Sequence, residues 1–186
     1  NHKVRSLNSL TEKKFESDCI HTLMEDSGGN LWIGTRQGVY ILDADDQFHK
    51  LSEWMPGAEL EFLHSRIFDI KEDAERNIWI ATNYEGIVRI NLQDKTYKRY
   101  AVGQKRDVQN IFCLLVDSRQ QIWAGSMWNG LSYYDRRQDM FVTITSFSTI
   151  ENKGITNIVE DSRGKIWITT NNTVLSFTMN EAHVLE

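Results

Sequence analysis

Glu25-Asp26-Ser27-Gly28-Gly29-Asn30-Leu31-Trp32-Ile33-Gly34-Thr35 returns three more times in a chain of 186 residues. The second copy is Glu72-Asp73-Ala74-Glu75-Arg76-Asn77-Ile78-Trp79-Ile80-Ala81-Thr82 and the third is Val116-Asp117-Ser118-Arg119-Gln120-Gln121-Ile122-Trp123-Ala124-Gly125-Ser126. The fourth is Glu160-Asp161-Ser162-Arg163-Gly164-Lys165-Ile166-Trp167-Ile168-Thr169-Thr170. Tryptophan follows aspartate by six residues in every copy, and Trp32, Trp79, Trp123 and Trp167 stand 47, 44 and 44 residues apart. A fixed period of this size marks units that stack or fan around an axis.

Outward from each copy, the chain reads as four short strands per period. In the second unit these are Ile67–Lys71, Ile78–Ala81, Ile87–Asn91 and Thr96–Tyr100, β-branched and aromatic runs bounded by Asn, Asp and Gly. No stretch sustains a 3.6-residue apolar period, so no long helix is expected. Four antiparallel strands in such a period make one blade of a β-propeller. The fold class is therefore all-β, with about four four-stranded blades. Residues 1–17 read as the outer strands of a preceding blade, because Val4-Arg5-Ser6-Leu7-Asn8 resembles Val88-Arg89-Ile90-Asn91. The units then run over 18–65 (with a linker), 66–109, 110–153 and 154–186, an arc of a larger propeller. The four tryptophans are expected to fill the space between blades. The four aspartates (Asp26, Asp73, Asp117, Asp161) are expected to bond backbone N–H groups of the turn they enter. They lack the spaced carboxylates and closing Glu of a calcium loop.

Composition excludes some functions. With 26 acidic and 21 basic residues the net charge is −5, and Lys95, Lys98 and Arg99 form only a short basic cluster. Nucleic acid is not an expected partner. Cys19 and Cys113 fall at different phases of their repeats, which argues against a disulfide. No membrane segment is expected in this chain, and Asn1-His2-Lys3-Val4-Arg5 does not read as a signal peptide. The histidines, His2, His21, His49, His64 and His183, share no metal-ligand spacing, so neither metal nor cofactor is expected. No Ser or Cys nucleophile with a His and an acid is legible. His21 falls on an innermost strand, where it faces the channel or serves as a partly buried, hydrogen-bonded residue.

Binding features are clearer. The loops joining second and third strands share one propeller face with the interblade linkers, and they differ most between repeats. They read Arg36-Gln37, Asn83-Tyr84-Glu85, Ser126-Met127-Trp128-Asn129 and Asn171-Asn172-Thr173. Tyr84 and Trp128 are aromatics that a hairpin does not require. Sugar rings stack C–H faces on such rings while their hydroxyls seek amide, carboxylate or guanidinium partners. Arg36, Tyr84, Glu85, Trp128 and Asn129 are the candidate ligand-binding set. The alternative is that Tyr84 and Trp128 pack on neighbouring blades. Trp54 and Met55, in the irregular linker with the only proline, are a second aromatic candidate or a linker tucked over an apolar rim.

The pattern Asp-Ser-x-Gly-x-Ile/Leu-Trp-Ile-Gly/Ala-Thr, followed by Gly and Val-Tyr or Ile-Val-Arg, resembles the two-component regulator propeller repeat across essentially the whole chain. Ala74 replaces its Ser in the second copy, and Asn171-Asn172-Thr173 replaces its Gly in the fourth. The resemblance implies the periplasmic sensor region of a hybrid two-component system of the gut Bacteroidetes type. Such regions recognise carbohydrate fragments and sit in chains with further propeller blades, a membrane helix and a kinase. It implies a non-enzymatic segment with a carbohydrate ligand. A structural or protein-interaction propeller, homodimeric through exposed ends, is the alternative, and a lyase or glycosidase is a third reading.

Overall fold

An antiparallel sheet with apolar residues on both faces must be covered on both, and a second sheet about 10 Å away does this. The structure, a computed structural model, describes residues 19–56, 64–103, 109–145 and 153–178. The first sheet holds β1 (Ile20–Glu25), β2 (Leu31–Thr35), β3 (Gly38–Leu42) and β4 (Phe48–Lys50), closed by a short helical turn, α1 (Leu51–Trp54). The second holds β5 (Ile67–Glu72), β6 (Asn77–Thr82), β7 (Ile87–Asn91) and β8 (Thr96–Tyr100). The third holds β9 (Ile111–Val116), β10 (Ile122–Ser126), β11 (Leu131–Asp135) and β12 (Met140–Thr143). The fourth holds β13 (Ile155–Glu160), β14 (Ile166–Thr170) and β15 (Val174–Phe177). Each sheet pairs its strands in chain order, antiparallel throughout. The first strands of consecutive sheets, β1, β5, β9 and β13, lie against one another in that order. They are the innermost strands, and the four sheets are propeller blades forming an arc. Residues 1–17, read above as outer strands, lie outside the described residues, as does linker 57–63.

The repeated tryptophan is the wedge between blades. Trp32 packs with Ile67, Ile70, Ile78 and Ile80 of the second blade. Trp79 meets Ile111, Leu114 and Ile122 of the third, and Trp123 meets Ile155, Ile158 and Ile168 of the fourth. All three rings are fully buried, whereas Trp167, with no described blade beyond it, is only partly covered. Burying such a ring removes about 150–250 Å² from water, worth at most about 4–6 kcal/mol. The repeat's small residue has the same origin. A Cβ on Gly34 or Gly125 would come 2.8 or 2.6 Å from Cγ2 of Ile67 or Ile155 in the next blade.

The repeated aspartate does more than cap its turn. In the first blade Asp26 Oδ1 accepts the backbone N–H groups of Gly28 and Asn30, both at 2.9 Å. Its Oδ2 accepts the Trp32 indole N–H at 2.7 Å. The same indole bond recurs at 2.7 Å from Trp79 to Asp73, 2.8 Å from Trp123 to Asp117 and 3.0 Å from Trp167 to Asp161. The six-residue spacing is thus a side-chain contact across a hairpin, satisfying a buried donor that would otherwise cost about 1–3 kcal/mol.

Joints between blades are of two kinds. Ser27 donates its N–H and its hydroxyl to Glu72 (2.6 and 2.8 Å), and Ser118 does the same to Glu160 (2.7 and 2.6 Å). At the middle joint Ala74 and Val116 stand in these places. There Ala74 N–H donates to Gln120 Oε1 (2.9 Å) and Arg136 pairs with Glu75 (2.9 Å). Asp139 of the third blade gathers Lys98, Tyr100 (2.7 Å) and Tyr134 (2.5 Å) across the same joint.

Trp123→Ala is expected to cost about 3–5 kcal/mol in urea unfolding, and Trp167→Ala clearly less because its ring is half covered. Asp26 supplies a second expectation. Burial pushes its pKa up, but the bonds from Trp32, Asn30 and Gly28 outweigh this and hold it below the usual carboxylate value. Its stabilising contribution is therefore full above the unfolded pKa of about 3.9 and is lost as pH falls through the lower folded value. The stability gap between the parent and Asp26→Asn should be widest at neutral pH and close in strong acid, as followed by tryptophan fluorescence.

Candidate functional site

Strand direction sorts the loops into two faces. Each innermost strand runs away from the face where it begins, so the turns carrying the repeated Asp lie on the far side. The β2–β3, β6–β7, β10–β11 and β14–β15 loops return to the near side, together with the residues that enter the innermost strands. Backbone bonds tie the two sets: Arg36 N–H to Cys19 O (2.9 Å), Asn83 N–H to Arg66 O (2.9 Å) and Met127 N–H to Asn110 O (3.0 Å).

The Thr or Ser that ends the repeat shapes these loops from beneath. Thr35 and Thr82 donate their hydroxyls to Gly38 O (3.0 Å) and Gly86 O (2.9 Å), and Ser126 Oγ accepts Asn129 N–H (2.6 Å). Gly38, Gly86 and Gly130 close the loops at φ of 100°, 76° and 66°, a region that suits glycine. In the fourth blade Thr173 takes the closing position and its bond from Thr170 is longer, 3.4 Å. The second and third blades hold three residues before the closing glycine where the first holds two, and their middle residues are Tyr84 and Trp128. Tyr84 sits at φ 79°, a left-handed conformation costing a non-glycine residue about 1–2 kcal/mol. Both rings project into solvent, 63% and 50% exposed.

The other candidates separate. Arg36 is exposed on the same face. Glu85 is partly buried and ion-paired with Arg99 at 2.6 Å. Asn129 is buried, its amide donating to Val102 O (3.0 Å) in the interblade linker. Met55 is buried in the core under the first blade, and Trp54 is half-buried with its ring edge-on to His49. His21 is exposed rather than a satisfied buried residue, its ring 5.9 Å from Phe68.

Several residues were not singled out from sequence. Every innermost strand carries a bulge at its second residue, since the register slips between Ile20 and Thr22, Ile67 and Asp69, Ile111 and Cys113, and Ile155 and Asn157. The extra residues are His21, Phe68, Phe112 and Thr156. Such bulges re-aim a side chain, here at the channel mouth. His21, Phe68 and Phe112 form a row, with Phe68 and Phe112 edge to face at 4.9 Å. The Arg66 guanidinium lies 5.8 Å over the Phe68 ring. Partial desolvation and the charges of Arg66 and Arg36 hold His21 below the usual histidine pKa. Beside this row, Met127, Trp128, Lys153, Gly154, Thr170, Asn171 and Asn172 enclose a cleft of about 400 Å³. The signal that could have found Phe68 and Phe112 was the shared phase, five residues before each repeated Asp.

A cleft of about 470 Å³ lies on the far face, lined by His49, Trp54, Glu53, Arg76 and Lys95 among others. It is the larger, yet its polar groups are committed to the scaffold. Asp26 holds the turn and Trp32, and His49 is held by Asp43 at 2.9 Å. Ser27, the one hydroxyl among the described residues lining it, donates to Glu72. Among the described residues, no three His, Cys, Asp or Glu side chains could hold a metal ion.

A model of the two component regulator propeller repeat matches residues 14–37, 61–84 and 149–172. Three of the four copies thus carry that family's pattern. The third copy, with Val116 and Gln120-Gln121 in its turn, falls outside the matched segments. No curated protein matches the chain. Among solved structures, the extracellular domain of a hybrid two-component system from B. thetaiotaomicron is similar, with TM-score 0.68 and 20% identity over 94% of this chain. This chain spans only 23% of that one. Virginiamycin B lyase from Staphylococcus aureus, in an inactive form with quinupristin, gives TM-score 0.70 at 15% identity, covering 94% of this chain and 57% of that one. An auxiliary nutrient binding protein from Bacteroides ovatus gives 0.64 at 13%, covering 91% and 41%. At these identities the likeness is one of fold, and the fold serves binding proteins and an enzyme alike.

Thermal unfolding checks these placements. Trp128→Ala and Tyr84→Ala should change stability by no more than about 0.5 kcal/mol, as exposed residues do. Asn129→Ala, which removes one of two donors to the Val102 carbonyl, should cost about 0.5–1.5 kcal/mol.

Proposed function

We propose that this chain is a non-enzymatic segment of an extracytoplasmic sensor that recognises a carbohydrate for transmembrane signalling. One observation carries the reading: Tyr84 and Trp128 hold equivalent loop positions in consecutive blades and both rings face solvent. Neither buries its ring between blades, and Tyr84 accepts backbone strain to stand there. The Thr170, Asn171 and Asn172 side chains beside Trp128 offer the polar partners that hydroxyls need. The family-model match over three repeats and the similar sensor and nutrient-binding folds support the sensory role. A stacked ring contributes about 0.5–1.5 kcal/mol, so losing one should weaken binding up to about tenfold. Calorimetry against a panel of polysaccharide fragments is expected to find a binder whose affinity drops in Trp128→Ala and Tyr84→Ala. Equal affinity in both variants would remove the site from this face.

A second reading, a protein-interaction propeller, draws on the open blade faces at the ends of the arc. Ile20 and Leu23 are 49% and 60% exposed where their equivalents Ile67 and Ile70 are buried, and Val159 and Val174 are 49% and 63% exposed at the other end. It expects concentration-dependent self-association in sedimentation with no glycan bound.

A further inference from the structure

We infer that the saccharide taken by this face is anionic, its carboxylate or sulfate groups seated separately by Arg66 and by Lys153; the inference rests on the carbohydrate reading above. The chain carries net charge −5, yet among the described residues the charges are segregated. The repeated aspartates, Asp43, Asp45, Asp46 and Asp94 all belong to turns of the far face. On the near face, the described loops and strand entries hold Arg36, Arg66 and Lys153 against one carboxylate, Glu85, which Arg99 neutralises. Several cations elsewhere are paired: Lys71 with Asp69 (2.7 Å), Lys98 with Asp139, and Arg136 with Glu75 (2.9 Å). Among the described residues Arg66 and Lys153 pair with no carboxylate, and each lies beside an aromatic platform, Arg66 over Phe68 and Lys153 in the cleft with Trp128.

This pairing of ring and cation suits a sugar bearing an anion. The apolar face of the pyranose meets the ring, and the charged substituent meets the guanidinium or ammonium group. A neutral sugar would leave two cations without a role. Their field is already felt by His21, whose proton affinity Arg66 and Arg36 depress. An anion bound among them would reverse that depression. The lower cleft lacks this character, because Arg76 and Lys95 there stand among Glu53, Glu72 and Asp26.

The test uses the whole chain and matched pairs of oligosaccharides: oligogalacturonate with its carboxyl-reduced form, and chondroitin sulfate fragments with their desulfated, carboxyl-reduced form. The charged member of at least one pair is expected to bind, with its neutral counterpart weaker by about tenfold or more. The pair that responds tells carboxylate from sulfate. Arg66→Met and Lys153→Met should each remove about tenfold of the charged ligand's affinity and little of the neutral one's. Added salt should weaken the charged ligand alone. By NMR titration the His21 pKa should rise on binding. Neutral members binding as well as charged ones would overturn the anionic assignment and leave the carbohydrate reading standing. No binding by any member of the panel would overturn both.

Discussion

A carboxylate shared between a turn and an indole holds each blade in shape. One oxygen of Asp26, Asp73, Asp117 or Asp161 gathers backbone N–H groups of the β-turn, and the other accepts the tryptophan N–H six residues later. The bond fixes the ring in one orientation at the blade surface, and the ring then fills the space against the next blade. Turn geometry, ring position and interblade packing are thus coupled through one side chain. That coupling explains why Arg76 and Gln120 stand at left-handed φ of 63° where the other copies have glycine. The turn's shape is imposed by the aspartate's bonds, and the backbone accepts the strain.

The joints built on this unit are not uniform. Ser27–Glu72 and Ser118–Glu160 are short, two-pronged and exposed, the kind of contact that sets register more than it adds stability. The middle joint loses both partners of that contact at once, Ala74 for Ser and Val116 for Glu, and gains the Asp139 cluster. Arg89 stacks over Trp79 and Tyr100 there, 5.6 and 5.5 Å from their centroids. The joint that departs from the repeat is also the one flanked by the two extended loops.

How much of the candidate site could be read from sequence depended on what each residue contacts. Tyr84 and Trp128 stood out because a hairpin loop has no need of an aromatic. Asn129 read as a loop polar group equally well, but its amide reaches back to Val102, a contact across 27 residues that no local pattern announces. Glu85 read as the lone loop acid, and only the fold brings Arg99 onto it. Phe68 and Phe112 passed for ordinary strand residues, since a bulge is a register slip between two strands and leaves no mark on either alone. Arg66 and Lys153 are separated by two repeats and share a face only because both precede an innermost strand.

The sequence by itself determined the blade, its period, the position of its wedge and the face on which the variable loops gather. Those properties follow from local hydrogen bonding and from apolar spacing that repeats with each unit. The tertiary structure alone decided which side chains meet across blades: the aromatic row of His21, Phe68 and Phe112, and the Asp139 cluster. These depend on the radial placement of successive sheets, which brings residues of equal phase side by side however far apart they lie along the chain.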